Sequence, residues 1–234
     1  MIIYVNPTFP ITYKEKSLLG IGVFPGFTEG FNKVADDAAP DATHWSIVEN
    51  GAGTVVVQND TVNKNGFLIC SSGGGAGDDA LAFTKDKLVF ALKYHTNTLH
   101  MKSYAKIHFI NNATKTGCFG FIANEKVLAE CADFTVADSY CAVLSTDSWV
   151  PYFCTSDGAI LEKTNLSTWI VDDTWFEFEI IISATDVKFY INGILRVTHV
   201  TRVPISVWQL AAGSTQAGEE TMTCLEELFI WCEP

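Results

Sequence analysis

Carboxylates are the commonest chemically able side chains in this sequence, with 27 Asp and Glu against 15 Lys and Arg. Hydrolysis of a glycosidic bond by two carboxylates needs an acid and a base or nucleophile facing each other about 5–9.5 Å apart. The nearest echo is Glu177-x-Glu179. These two alternate with Phe176, Phe178 and Ile180, so they project from one face of one strand as solvated neighbours and not as a facing pair. The doubled acids Asp36-Asp37, Asp78-Asp79 and Asp172-Asp173 offer the hard oxygen ligands that Ca²⁺ takes. No spacing singles out one metal loop, so a structural calcium ion stays open without support and no cofactor is expected.

The other reactive types are scattered. His44, His95, His100, His108 and His199 show neither H-x-H nor H-E-x-x-H spacing, which leaves metal binding unsupported. The seven cysteines, Cys70, Cys118, Cys131, Cys141, Cys154, Cys224 and Cys232, are odd in number and include no C-x-x-C. Their flanks are apolar, as in Phe67-Leu68-Ile69-Cys70, which fits inert buried thiols in a chain folded in a reducing cytosol. The run 71–79, SSGGGAGDD, is glycine-rich, but no Lys-Ser/Thr follows its last glycine and Asp78-Asp79 would repel phosphate. It reads as a surface loop. There is no G-x-S-x-G for a serine hydrolase. Trp149, Trp169, Trp175 and Trp208 would stack on sugar rings if exposed, and would pack in the core or at its rim if not. No catalytic, cofactor or metal residue is therefore assigned, and the chain is not expected to be an enzyme.

Length and charge narrow the classes further. At 234 residues and 48% hydrophobic, the chain can bury one large all-β core. A formal net charge of −12 argues against nucleic acid and anionic membranes as partners. The first ten residues, MIIYVNPTFP, lack a basic segment and meet Pro7 early, so no signal peptide is expected. No apolar run reaches the ~18–20 residues that cross a bilayer. The sequons at Asn59, Asn112 and Asn165 carry no meaning without secretion.

The elements that would position these residues are strands. Residues 173–200 organise the rest. Phe176, Phe178, Ile180 and Ile182 alternate with Glu177 and Glu179; after a polar break, 187–191 alternates again and reaches Asn192-Gly193, a strong hairpin signal. A strict two-residue turn would set Arg196 opposite Phe189 on the apolar face. A bulge at Gly193 would instead bring Leu195 and Val197 there, and that is the expectation. Further strands are expected at 45–48, 54–58, 67–70, 88–92, 99–109, 116–123, 143–144, 149–154, 159–161 and 207–211. In 99–109, His100, Lys102, Tyr104, Lys106 and His108 form the wet side. Residues 125–131 read as one or two helical turns or a strand. In 221–231 strict alternation puts Leu225, Glu227, Phe229 and Trp231 on one face, and Cys224, Glu226, Leu228 and Ile230 on the other. Both faces are apolar, so the strand belongs in the middle of a sheet. Glu227, if buried there, needs a donor or its pKa rises. Residues 1–40 read as an irregular arm or first strand, packing on the sandwich or on a neighbouring subunit, and 41–234 as one β-sandwich domain.

The succession Trp175-Phe176-Glu177-Phe178, Val187-Lys188-Phe189-Tyr190-Ile191-Asn192-Gly193 and Glu227-Leu228-Phe229-Ile230-Trp231 resembles the concanavalin A-like lectin/glucanase superfamily. The upstream part, from Trp45 through Gly51 and Gly53 to the 67–70 strand, is similar to versions of this fold in tailed-bacteriophage virion proteins. The resemblance implies an all-β fold: a two-sheet antiparallel β-sandwich, the concanavalin A-like jelly roll. Hydrolases of that superfamily carry E-x-D-x-E or E-x-D-x-x-E on one strand, and this chain has neither. The resemblance therefore implies a non-enzymatic structural component of a bacteriophage virion, a capsid decoration or head/tail accessory protein made in the host cytoplasm. Its partners would be other virion proteins or further copies of itself. The alternative is a carbohydrate-binding adhesion module, whose partners would be surface glycans and which needs an exposed aromatic platform with polar neighbours. A divergent glycoside hydrolase is the third reading.

Overall fold

The computed structural model describes residues 26–29, 31, 37–59, 66–75, 77–85, 90–91, 98–108, 117–123, 139–146, 150–204, 207–215 and 222–233. In chain order the strands are β1 (Gly26–Glu29), β2 (Trp45–Asn50), β3 (Thr54–Asn59), β4 (Gly66–Ser71), β5 (Asp79–Thr84), β6 (Phe90–Ala91), β7 (Thr98–His108) and β8 (Gly117–Ala123). They continue with β9 (Ser139–Thr146), β10 (Val150–Asp157), β11 (Leu161–Asn165), β12 (Phe176–Ile182), β13 (Val187–Ile191), β14 (Ile194–His199), β15 (Val207–Thr215) and β16 (Met222–Glu233). No helix occurs among the described residues. The expected helical turns at 125–131 and the first 25 residues lie outside them.

The strands form two antiparallel sheets. Sheet A runs β14-β13-β12-β7-β16-β4-β3, with β1 also on β16; sheet B runs β11-β10-β9-β8-β15-β5-β2, with β6 also on β15. The expected two-sheet sandwich is what the chain forms. Within the segment read as an arm, β1 pairs with β16, and Phe31 is buried with its ring 6.0 Å from that of Trp45.

The core between the sheets follows from the alternation. Phe176, Phe178, Ile180 and Ile182 of β12 point inward and meet Phe119, Phe121 and Phe153 of sheet B. Ring centroids are 4.5 Å apart for Phe119–Phe178 and 4.6 Å for the stacked Phe153–Phe189. Each such side chain contributes about 1.5–3 kcal/mol by leaving water. Sheet B is apolar on its other face too: Leu81, Cys118, Ile122, Tyr140, Leu144 and Cys154 form a second buried cluster. With both faces buried a strand loses its alternation, which is why Tyr140–Leu144 reads as a continuous apolar run. The same cause hides β5, which was not expected as a strand although Ala80, Leu81 and Ala82 are fully buried.

Two expectations about register are corrected. At the hairpin, Asn192 and Gly193 both take positive φ (52° and 72°), as a tight two-residue turn demands. The bulge is not at Gly193. Ile191 faces Ile194, Tyr190 faces Leu195 and Phe189 faces Val197, so the extra residue is Arg196. Val197 and His199 thereby turn inward, while Leu195 stays 45% exposed. Bulging the arginine keeps its charge out of the apolar layer, and its guanidinium lies 5.3 Å from the Trp169 ring centre.

In β16 the strict alternation fails at Glu227. Glu226 pairs with Tyr104 and Phe229 with Lys102, so three steps on β16 match two on β7. Glu227 has φ 39°, the left-handed conformation of an inserted residue. Leu225, Leu228 and Ile230 then all enter the core, and Glu226, Phe229 and Trp231 share the outer face. Burial of three large side chains outweighs about 1–3 kcal/mol of backbone strain. The strand does lie inside its sheet, between β7 and β4.

Candidate functional site

The outer face of sheet A collects most of the polar chemistry. β7 contributes His100, Lys102, Tyr104, Lys106 and His108, all outward as expected. β12 lies beside it with Glu177 and Glu179, and the turn before β12 adds Asp172, Asp173 and Trp175. Asp173, at φ 52°, donates its amide to the Ile107 carbonyl, and this anchors the turn beside the end of β7. The Asn192 side chain accepts from the Glu177 amide at 3.0 Å, and the Asn192 amide donates to the Glu177 carbonyl at 2.9 Å, which fixes the start of β12 against the hairpin tip.

Each basic side chain of β7 meets an acid. Lys102 Nζ is 2.9 Å from Glu177, Lys106 Nζ 2.9 Å from Asp173, His100 Nδ1 3.2 Å from Glu179 and His108 Nδ1 3.2 Å from Asp172. Register sets Glu179 opposite Lys102 and Glu177 opposite Tyr104, so the first pair and the His100 pair reach diagonally across the strands. The Lys106 ammonium, hydrogen-bonded to Asp173, holds that carboxyl below the usual range.

Between these pairs runs a row of four residues: Glu177 on β12, Tyr104 on β7, Glu226 on β16 and Phe67 on β4, each in register with the next. The backbones of Glu177 and Glu226 are two strand spacings, about 10 Å, apart. Trp175 meets Phe67 edge-on at 5.5 Å with planes at 85°, and Lys106 Nζ lies 5.9 Å from its ring centre. Trp175 is 38% exposed. Phe229 is half-buried on the same side of β16, and Trp231, buried, stacks on His100. Burial raises the Tyr104 pKa, with Glu177, Glu226 and Glu227 adding to it, so the phenol keeps its proton. Burial, and then Glu226, also raises the Glu227 pKa. The face thus offers aromatic rings set among carboxylates, a phenol and two ammonium groups, an arrangement suited to a ligand with apolar C–H faces and many hydroxyls.

The sequence candidates divide as follows. Trp175 is on this face and exposed. Trp169 packs against the core under Arg196. Trp149 and the side chain of Trp208 lie outside the described residues. Glu177 and Glu179 project outward, Glu177 against Lys102 and Glu179 against His100. His199 is elsewhere, buried between the sheets. The run 71–79 is not simply a surface loop: Asp78 and Asp79 are only 7% and 5% exposed. Asp78 accepts from the Gly75 amide at 2.7 Å and fills the space where Gly51, Gly73 and Gly75 lack a Cβ. Among the described residues no three His, Cys, Asp or Glu side chains converge as a metal site. The described cysteines Cys70, Cys118, Cys141, Cys154 and Cys224 are buried. Burial pushes the Cys141 thiol up and the Cys224 thiol up to about 12, so both stay protonated. Sequence reasoning left Tyr104, Phe67 and Glu226 out of any site. The signal for Glu226 was Leu225 and Leu228 standing three apart in a period-two strand.

No family model matches the chain, and no curated protein matches it by sequence. Solved structures do. One, from the endo-acting O-glycanases that prominent members of the human gut microbiota express to initiate mucin breakdown, superposes with TM-score 0.63 at 10% identity, over 89% of this chain and 99% of its own. The carbohydrate recognition domain of Emp46p in metal-free form gives TM-score 0.59 at 10% identity, over 87% and 94%. Cellulose induced protein Cip1 gives 0.58 at 11%, over 87% and 96%. At such identities the likeness is one of fold: a lectin-like jelly roll.

Proposed function

We propose that this chain is a carbohydrate-binding β-sandwich that holds a glycan on the outer face of sheet A without cleaving it. The observation that carries the reading is Trp175, an exposed indole braced by Phe67 and Lys106 beside a row of Tyr104, Glu177 and Glu226. A pyranose ring laid on the indole buries its C–H face, and its hydroxyls reach the carboxylates as donors and the Lys106 ammonium group as acceptors. The neighbours in fold that are named for carbohydrate recognition lend the reading support. The virion-structural expectation has no counterpart among the neighbours named above, and the glycan reading takes its place.

What supports binding without hydrolysis is how the acids are held. Glu177 is engaged by Lys102, Tyr104 stands between Glu177 and Glu226, and Glu226 and Glu227 are successive residues of one strand. None of these pairs is two free carboxylates facing across a bond. A glycan array followed by calorimetry on the best ligands tests the proposal. Saturable binding without release of shorter sugars is the expected result. No binding to any glycan, or turnover of the bound one, overturns it.

A further inference from the structure

Resting on that reading, we infer that the face selects by charge: it takes uncharged, hydroxyl-rich glycans and rejects sialylated, sulfated or uronic ones. The argument is a balance of charges on one surface. The lysines of β7 are each matched, Lys102 by Glu177 and Lys106 by Asp173, while Glu179 and Asp172 lie against the rings of His100 and His108. Lys188, outward on β13, is matched by Asp186 at 3.1 Å. Glu226, in register with Tyr104 in the row, and Glu227, the bulge residue next to it whose charge also acts on Tyr104, have no cationic partner among the described residues. An anionic sugar placed on Trp175 therefore meets two uncompensated carboxylates. The ammonium groups of Lys102 and Lys106 are each already paired with a carboxylate at 2.9 Å, which cancels most of the attraction they would offer it. The formal charge of −12 over the whole chain adds a repulsive field at longer range.

A neutral glycan avoids both costs. Its hydroxyls donate to Glu226 and to the lone pairs that Glu177 and Glu179 keep after pairing, and accept from the Tyr104 phenol, which stays protonated at neutral pH. The carboxylates that repel an anion are thus the acceptors that a neutral sugar uses.

The test is calorimetry of the whole chain against matched oligosaccharides, each neutral one beside its sialylated or sulfated counterpart, at low and high salt. The expected result is a neutral ligand bound at least about tenfold tighter at low ionic strength, a gap of about 1.4 kcal/mol. Screening should narrow that gap as salt rises. The double variant Glu226→Gln with Glu227→Gln should narrow it at low salt. The single variant Glu226→Gln, at an outward position free of the bulge, reads the same ratio should the double variant not fold. Equal affinity for both members of a pair, or preference for the anionic one, overturns the inference and leaves glycan binding standing. Binding of neither member overturns both.

Discussion

His199 Nδ1 lies 2.8 Å from the Thr155 hydroxyl, a bond that ties the edge of sheet A to sheet B through the buried interior. The other ring nitrogen, Nε2, is 2.9 Å from the Thr164 hydroxyl on β11, and the imidazole leans on Phe153 at 5.4 Å. The charged group that acts on it is Glu162, whose carboxylate accepts from the Thr201 hydroxyl.

Stability should fall as the solution is acidified from neutrality. Burial lowers the His199 pKa, with Glu162 opposing. A histidine whose folded pKa is depressed binds fewer protons folded than unfolded. The unfolded chain therefore gains from acid as pH drops below its ordinary value of about 6.5. Tm measured from pH 7.5 to 5 should decline through that window. His199→Gln should lower Tm at pH 7.5 and flatten the profile below 6.5. An unchanged slope in that variant would assign the acid sensitivity to another group.

How far this was readable from sequence depends on what decides each feature. β12 and β13 declare themselves because one face is wet: Glu177, Glu179, Lys188 and Tyr190 alternate with buried partners. β5 does not, since Ala80, Leu81 and Ala82 are buried on both sides and alternate with nothing. The bulges at Arg196 and Glu227 were misplaced or missed for a shared reason. Register is chosen by which side chains the far sheet can accept, and neither strand contains that information alone. The site was half legible. The wet face of β7 was read correctly, but its meeting with Glu226 and Phe67 depends on the order β12-β7-β16-β4, which brings together residues as far apart in the chain as Phe67 and Glu226.

Trp175→Ala should remove most glycan affinity while leaving the fold intact. An exposed aromatic anchor is worth about 2 kcal/mol when truncated, or ~30-fold in Kd. Loss of the edge contact to Phe67 should cost stability only about 0.5–1.5 kcal/mol. Calorimetry and thermal melts on the same sample separate the two effects. An affinity within threefold of the parent would place the ligand elsewhere.

Glu227→Gly should make the protein more stable. Glycine takes φ 39° without a Cβ penalty, and the change also removes a carboxyl whose pKa is raised by burial and by Glu226. The sign at Glu227 is opposite to that at His199. A carboxyl with raised folded pKa supports the fold below the ordinary value near 4.3 and costs stability as pH rises through the folded value. The gain should therefore show at pH 7, at about 1 kcal/mol by denaturant titration. A less stable variant would mean that the Glu227 side chain makes a contact worth more than the strain.

Gly53→Ala should be among the most damaging small substitutions in the chain. A Cβ on Gly53 would fall 2.0 Å from the Asp79 carbonyl oxygen, against backbone that cannot swing aside as a side chain could. Asp79 begins β5 and pairs with Asn50 of β2 and Thr215 of β15, so moving it disturbs three strands of sheet B at once. Gly74→Ala is the control, because nothing lies within 4 Å of its Cβ position and its φ is outside the left-handed range. The first variant should lose about 2–3 kcal/mol or fail to fold, and the second should stay within about 0.5 kcal/mol of the parent. Equal, small losses in the two would mean that the loop and the β2–β3 turn do not pack together as described.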